Sequence, residues 1–200
     1  FIRVGNKEYT KQNDSFGLTT LRDRHVTVHG SQVQFYFRGK SGVKHTIDIK
    51  NTALAKIVRR LRDLPGYELF QYYDETGVLR TVGSGDVNQY VRETAGEDFT
   101  AKDFRTWTGT ILAAEALESC TFSTAKQAQK NVKPAIADVA SRLGNTPAVC
   151  RKSYIHPVIV DAYLDRSFPG SQSAANSHGL SARESAVLAL LQARSKARRP

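Results

Sequence analysis

The chain has 200 residues, 40% of them hydrophobic, enough to bury a core and suited to one domain or two small lobes. Its 29 lysines and arginines outweigh 19 aspartates and glutamates, and the resulting net charge of +10 favours a polyanionic partner through counterion release. Apolar runs fall short of the roughly 18 residues a spanning helix needs, no signal segment opens the chain, and Cys120 and Cys150 are too few for a disulfide scaffold or zinc site. A soluble intracellular protein with two packed thiols is the expectation.

Residues 1–49 alternate in strand fashion. Val26 and Val28, then Val33, Phe35 and Phe37, lie two apart across a turn at Gly30-Ser31, and a second turn from Gly39 to Gly42 precedes a strand over 45–49. This predicts a small antiparallel sheet with Lys40 on a hairpin tip. From residue 51 the period becomes helical: Leu54, Ile57, Val58 and Leu61 mark one face, closed by Pro65-Gly66. Thr100-x-x-Asp103 resembles a capping box for a helix through about Leu117, which would carry Arg105 in its first turns. Ser123 is expected to open another helix, Pro134 to interrupt or restart it, and Gly144 to stop it after Leu143, leaving Asn145 just past the end. Pro157 suits the first position of a helix running to about Arg166. Residues 169–180 read as a linker, and Ser181-x-x-Glu184 is a full capping box before a basic terminal helix. The fold class is therefore α+β and predominantly helical. The expected parts are a β-rich part at 1–49, a helical lobe at 50–168, the linker at 169–180 and a helix within 181–200.

Five strings carry a further signal: Phe-Ile-Arg-Val-Gly-Asn (1–6), Gly-Leu-Thr-Thr-Leu-Arg-Asp-Arg-His (17–25), Phe-Arg-Gly-Lys-Ser-Gly-Val-Lys-His (37–45), Asp-Phe-Arg-Thr-Trp (103–107) and the segment from Leu143 to Pro157, in which Asn145 precedes Tyr154 by nine positions. Together, in this order and spacing, the strings resemble the compact type IB DNA topoisomerases of bacteria and poxviruses, over nearly the whole chain. The resemblance implies a helical catalytic lobe of the tyrosine recombinase and topoisomerase IB type. It makes Tyr154 the nucleophile, Arg3 and Arg105 the phosphate clamp, Lys40 a proton donor, and Asn145 a hydrogen bonder to a non-bridging oxygen. Many relatives have histidine where this chain has Asn145; an asparagine amide donates a hydrogen bond without charge. Lys102, three residues before Arg105, joins the set as a further cation facing the phosphate. The family also carries an N-terminal lobe that closes over the far side of the duplex. A chain that begins at Phe1 and contains no methionine is expected to be a fragment lacking it.

The chemistry fits these residue types. A tyrosine hydroxyl ordinarily titrates near 10, so about one in a thousand is ionised at neutral pH, a handicap of roughly 4 kcal/mol. Two guanidinium groups reduce that cost and neutralise charge on the transition state with a bidentate geometry lysine cannot match. The departing 5′ oxygen needs a proton, and a lysine amine beside it can act as general acid. One phosphoester is exchanged for another through a 3′-phosphotyrosyl link, so no ATP is needed. The sequence has neither a Gly-x-x-x-x-Gly-Lys-Ser/Thr loop nor a carboxylate cluster suited to Mg²⁺, and no metal or cofactor is expected.

Tyr9, Thr20, Arg24, Lys44 and His45 are candidate DNA contacts. Arg151 and Lys152, beside the nucleophile, suit phosphate positioning, which sets register without reading sequence. Lys126, Lys130 and Lys133 would form a basic helix face, while His156 and Trp107 read as structural. The implied substrate is double-stranded DNA bound largely without sequence preference, by a monomer with no membrane association, in the cytoplasm at the bacterial nucleoid. The nearest rival is a tyrosine site-specific recombinase, which shares the nucleophile chemistry. Recombinases usually show histidine where this chain has Lys102, whereas Phe-Ile-Arg-Val-Gly and Asp-Phe-Arg-Thr-Trp are topoisomerase-like. A non-catalytic DNA-binding relative is the other alternative. The large nuclear enzymes separate the last catalytic side chain from the tyrosine by a long linker, so the short interval here favours the compact form.

Overall fold

The computed structural model describes residues 2–96, 98–168 and 179–197. These fall into two compact units, Ile2–Ala101 and a second beginning at Lys102. The first unit groups the segment 50–101 with the sheet.

In the first unit, strands β1 (Val26–His29), β2 (Gln32–Arg38) and β3 (Lys44–Lys50) form an antiparallel sheet in that order. The register pairs Val28 with Val33 and Phe37 with His45. The predicted alternation holds: Val33, Phe35 and Phe37 are buried while their neighbours on β2 are exposed, because successive side chains point to opposite faces. A helix covers that apolar face. It spans Thr52–Arg62, begins where the Asn51 side chain accepts the Leu54 N–H at 2.9 Å, and buries Ala55 and Val58. Phe16, Leu21 and Leu69 complete the core.

Three elements here escaped the sequence reading. Helix α1 (Lys7–Asn13) interrupts the stretch read as strand-like and is capped by Asn6, whose side chain accepts the Tyr9 N–H; the helix at 52–62 is therefore α2. Strands β4 (Gln71–Tyr73) and β5 (Leu79–Thr81) form a second antiparallel pair inside the region expected to be helical. Asp74 organises their turn by accepting the N–H groups of Thr76 and Val78. Helix α3 (Ser84–Ala95) follows.

The second unit is built from α4 (Ala101–Glu118), α5 (Ala125–Leu143), α6 (Pro147–Ser153), α7 (Pro157–Leu164) and α8 (Ala182–Lys196). Helix α5 is capped by Thr124 rather than Ser123, its side chain accepting the Gln127 N–H. It also runs unbroken through Pro134, contrary to the expected interruption. A proline inside a helix costs about 3 kcal/mol. Here Val132, Ala135, Ile136 and Val139 are buried on both sides of it, and their packing outweighs the lost backbone bond. Gly144, at φ 61°, stops α5 as read, and Pro157 opens α7. The Ser181–Glu184 capping box is present, with Glu184 held below its ordinary range by the backbone and hydroxyl of Ser181. Residues 169–178 of the predicted linker lie outside the described residues. Cys150 is buried, Cys120 half-buried, and both are free thiols. Burial pushes the Cys150 thiol up, against the opposing charge of Arg105. No helix among the described residues is long and apolar enough to cross a membrane.

Candidate active site

The predicted residues divide into two sets, one in each unit. In the first unit Arg3, Tyr9 and Lys40 line one open cavity of about 430 Å³, together with Asn6, Phe16 and Gly17. Arg3 owes its place to main-chain packing. The amides of Leu18 and Thr19 donate to the carbonyls of Arg3 and Val4, both at 2.7 Å, and the Thr19 hydroxyl also donates to Val4. Such close approach requires glycine at position 17: a Cβ there would lie 2.6 Å from Gly5 N and 2.7 Å from the Arg3 carbonyl oxygen. Two of the sequence strings, Arg-Val-Gly and Gly-Leu-Thr-Thr-Leu, are therefore the two sides of one backbone junction.

Lys40 stands on the turn Lys40–Gly42 between β2 and β3, as predicted, and its exposed ammonium lies 5.6 Å from the centre of the Tyr9 ring. That distance is within range of a cation–π attraction. Tyr9 is 36% exposed. His45, on β3, stacks on Phe37 with ring centres 5.0 Å apart, and Lys44 beside it is exposed. Arg24 is exposed as well, its guanidinium 5.8 Å from the Phe16 ring.

Thr20 is placed differently from these. It is buried, and its hydroxyl is occupied locally: it accepts the Gly17 N–H at 2.9 Å and donates to the Gly17 carbonyl at 3.1 Å. The side chain closes the turn that holds Arg3.

In the second unit Arg105, Asn145 and Tyr154 come from three helix ends. Arg105 lies one turn into α4, is only 9% exposed, and donates from Nη2 to the Leu143 carbonyl at 2.8 Å. Its guanidinium sits 5.3 Å from the centre of the Tyr154 ring. Tyr154 is the C-terminal cap residue of α6 and half-buried; its N–H donates to the Cys150 carbonyl. Asn145 follows Gly144, and its N–H donates to the Ala140 carbonyl at 2.8 Å, completing the stop of α5. Arg105 thus binds the carbonyl two residues before Asn145, which ties the arginine, the asparagine turn and the tyrosine into one arrangement. Lys102 is exposed on the first turn of α4, and Arg151 and Lys152 are exposed on α6, one turn or less before the tyrosine.

Lys126, Lys130 and Lys133 are exposed on α5. His156 and Trp107 have structural partners: His156 caps α7 by accepting the Val158 N–H, and Trp107 donates to Glu184 at 3.4 Å. Sequence reasoning missed Gly109 and Thr110. The signal was available, since a glycine inside a helical pattern marks close backbone approach or costs stability for nothing. Among the described residues no group of three or more His, Cys, Asp or Glu side chains is placed to hold a metal ion.

The family described as "Eukaryotic DNA topoisomerase I, catalytic core" matches residues 1–175, and the chain belongs to that family. It is 35% identical over 170 residues to the DNA topoisomerase 1B of Acanthamoeba polyphaga mimivirus, a match covering 81% of this chain and 51% of that protein. It is 26% identical over 171 residues to the DNA topoisomerase 1B of Vaccinia virus (strain Copenhagen), covering 84% and 51%. The DNA topoisomerase 1 of rabbit fibroma virus is 24% identical over 164 residues, covering 80% and 49%. The chain spans about half the length of these relatives.

Proposed function

We propose that this chain is the catalytic part of a type IB DNA topoisomerase, acting on double-stranded DNA as a monomer and largely without sequence preference. The Tyr154 hydroxyl oxygen attacks a backbone phosphorus, and the bond from phosphorus to the 5′ oxygen breaks. The phenolic proton passes to solvent water, and the Lys40 ammonium delivers a proton to the departing 5′ oxygen, to be returned when that hydroxyl attacks. The product is a 3′-phosphotyrosyl link and a free 5′ hydroxyl. While that strand end is free, torsional stress is released; attack by the same hydroxyl restores the strand and the tyrosine. Arg3 and Arg105 neutralise the charge that builds on the non-bridging oxygens, and Asn145 adds a neutral donor. Because each step exchanges one phosphoester for another, neither ATP nor a metal ion enters the balance.

The observation that carries this reading is the Arg105 guanidinium, anchored on the Leu143 carbonyl and held 5.3 Å from the Tyr154 ring. A buried arginine fixed by a main-chain carbonyl is already oriented before substrate arrives, which is the condition for electrostatic stabilisation without reorganisation. Arg3 and Lys40, sharing one cavity, supply the second clamp arm and the acid for the same reaction. Exposed Arg24, Lys44, Arg151 and Lys152 suit contacts with the phosphate backbone.

The test is relaxation of positively and negatively supercoiled plasmid in EDTA, with adduct formation followed on a labelled duplex. Tyr154→Phe is expected to abolish the covalent adduct while DNA binding persists and falls steeply with salt. Adduct formed by the phenylalanine variant removes Tyr154 from the reaction. Joined recombinant products in place of relaxation point to a recombinase.

A further inference from the structure

Gly109 lies inside α4, is buried, and has no room for a side chain: a Cβ there would stand 2.4 Å from the carbonyl oxygen of Tyr154, 3.2 Å from its carbonyl carbon and 3.1 Å from Leu143 Cδ1. Two neighbouring residues of α4 bind the chain on either side of this contact. Arg105, one turn earlier on α4, binds the Leu143 carbonyl, and Thr110 accepts the His156 N–H at 3.1 Å while donating its own hydroxyl proton to the Thr106 carbonyl at 2.8 Å. The main chain of the tyrosine is therefore seated on bare helix backbone and fastened just beyond it by Thr110, while Arg105 fixes the neighbouring end of α5.

We propose that Gly109 is a positioning residue for Tyr154, the missing side chain letting the tyrosine's own peptide rest directly on α4 so that the phenol stands beside Arg105. The inference rests on the transesterification reading above. Its physical content is a displacement: ordinary contact begins near 3.4 Å, so alanine at 109 pushes the Tyr154 carbonyl outward by about 1 Å. A misplacement of that size at a reacting group costs on the order of a hundredfold in rate. Helix propensity acts the other way, since alanine is the better helix former. A loss on Gly109→Ala therefore cannot come from weakening α4 itself. Thr110 contributes through its hydroxyl, which receives a main-chain N–H two residues beyond the nucleophile.

The experiment measures single-turnover adduct formation on a nicked duplex that cannot religate, at saturating protein, alongside DNA affinity and thermal unfolding. Gly109→Ala is expected to slow adduct formation about a hundredfold with DNA affinity unchanged. Val132→Ala, a cavity in the same core but on α5, supplies a destabilised control whose adduct rate stays near that of the unsubstituted chain. If Gly109→Ala does not fold, the pair Thr110→Val and Thr110→Ser takes its place, valine expected to slow the step and serine, which keeps the hydroxyl, to restore it. A folded Gly109→Ala that reacts as fast as the unsubstituted chain overturns the inference. So does a Thr110→Val as fast as Thr110→Ser when the glycine variant cannot be measured. Absence of adduct from the unsubstituted chain overturns the transesterification reading and this inference with it, and that outcome is distinct because it appears before any substitution is made.

Discussion

The two units hold their candidate groups in opposite ways. In the helical unit Arg105 is buried, bonded to a main-chain carbonyl and set beside a half-buried tyrosine whose peptide rests on α4. In the sheet unit Arg3 and Lys40 face an open cavity, and Lys40 stands on an exposed turn with an aromatic ring as its neighbour. Under the proposed reaction the contrast follows the work each set would do. A nucleophile and the charge that stabilises it gain most from fixed geometry, because the gain is realised without rearrangement at the moment of reaction. A general acid must deliver a proton and take it back, and a long flexible side chain on a turn does so without disturbing a core.

Substitution should separate the two kinds of support. Lys40→Ala removes the proposed acid and is expected to slow adduct formation by about 10²–10⁴, the largest effect short of losing the tyrosine. Because Lys40 is exposed, its loss should leave stability within about 0.5 kcal/mol. Single-turnover cleavage together with thermal unfolding checks both halves. A large stability loss would mean that the turn is as much part of its core as Arg105 is of the other. Arg105→Lys is the counterpart. It keeps the charge but loses the planar fork, with an expected slowing of about 10²–10³. It also strips the Leu143 carbonyl of its partner, at a cost of about 1–3 kcal/mol. A variant that loses rate but no stability would show that the Leu143 contact is incidental.

The same contrast explains what the sequence revealed. Strands β1 to β3 were legible because burial alternates strictly with residue number, and Lys40 was legible as a turn residue between two such runs. The helical unit announced its boundaries through Gly144, Pro157 and the Ser181 box, each a local signal with a local cause. Helix α1 and the β4–β5 pair were not legible: one is seven residues long and buries none of them, and the strands of the other are three residues each, too short for any period to register. Pro134 misled because a local breaker was overruled by packing that only the folded α5 displays. Thr20 shows a different limit. It belongs to a string that carries the family resemblance, and resemblance does not separate a residue that touches substrate from one that closes the turn behind Arg3. The 101/102 boundary required contacts between α2 and the sheet that no single segment discloses.

The smallest effect, and the one that separates the units most cleanly, is a response to pH. His25 is 8% exposed, its Nδ1 accepts the Arg22 N–H at 3.0 Å, and its ring packs edge-on against Phe16 at 4.3 Å. Burial, then the charges of Arg24 and Arg22, lower its pKa from 6.5 to about 4, with Asp14 in partial opposition. The folded form keeps His25 neutral while the unfolded chain binds a proton near 6.5, so this contribution is whole above that pH and is lost as pH falls towards 4. The loss should reach about 2 kcal/mol by pH 5. Asp23 works the other way, because burial raises its carboxyl and favours the protonated folded form as pH falls, with Arg62 in opposition. Substitution at His25 isolates the two: His25→Gln offers a neutral acceptor to Arg22 and should flatten the decline between pH 7.5 and 5. Amide exchange of β1 to β3 reads the sheet unit, and fluorescence of Trp107, the one tryptophan in the chain, reads the helical unit. The strands should lose protection by pH 5 while the tryptophan signal holds. An unchanged decline in His25→Gln would place the sensitivity in other groups of the sheet unit, and a tryptophan signal falling in step with the strands would show that the acid-labile region extends past the histidine's own core.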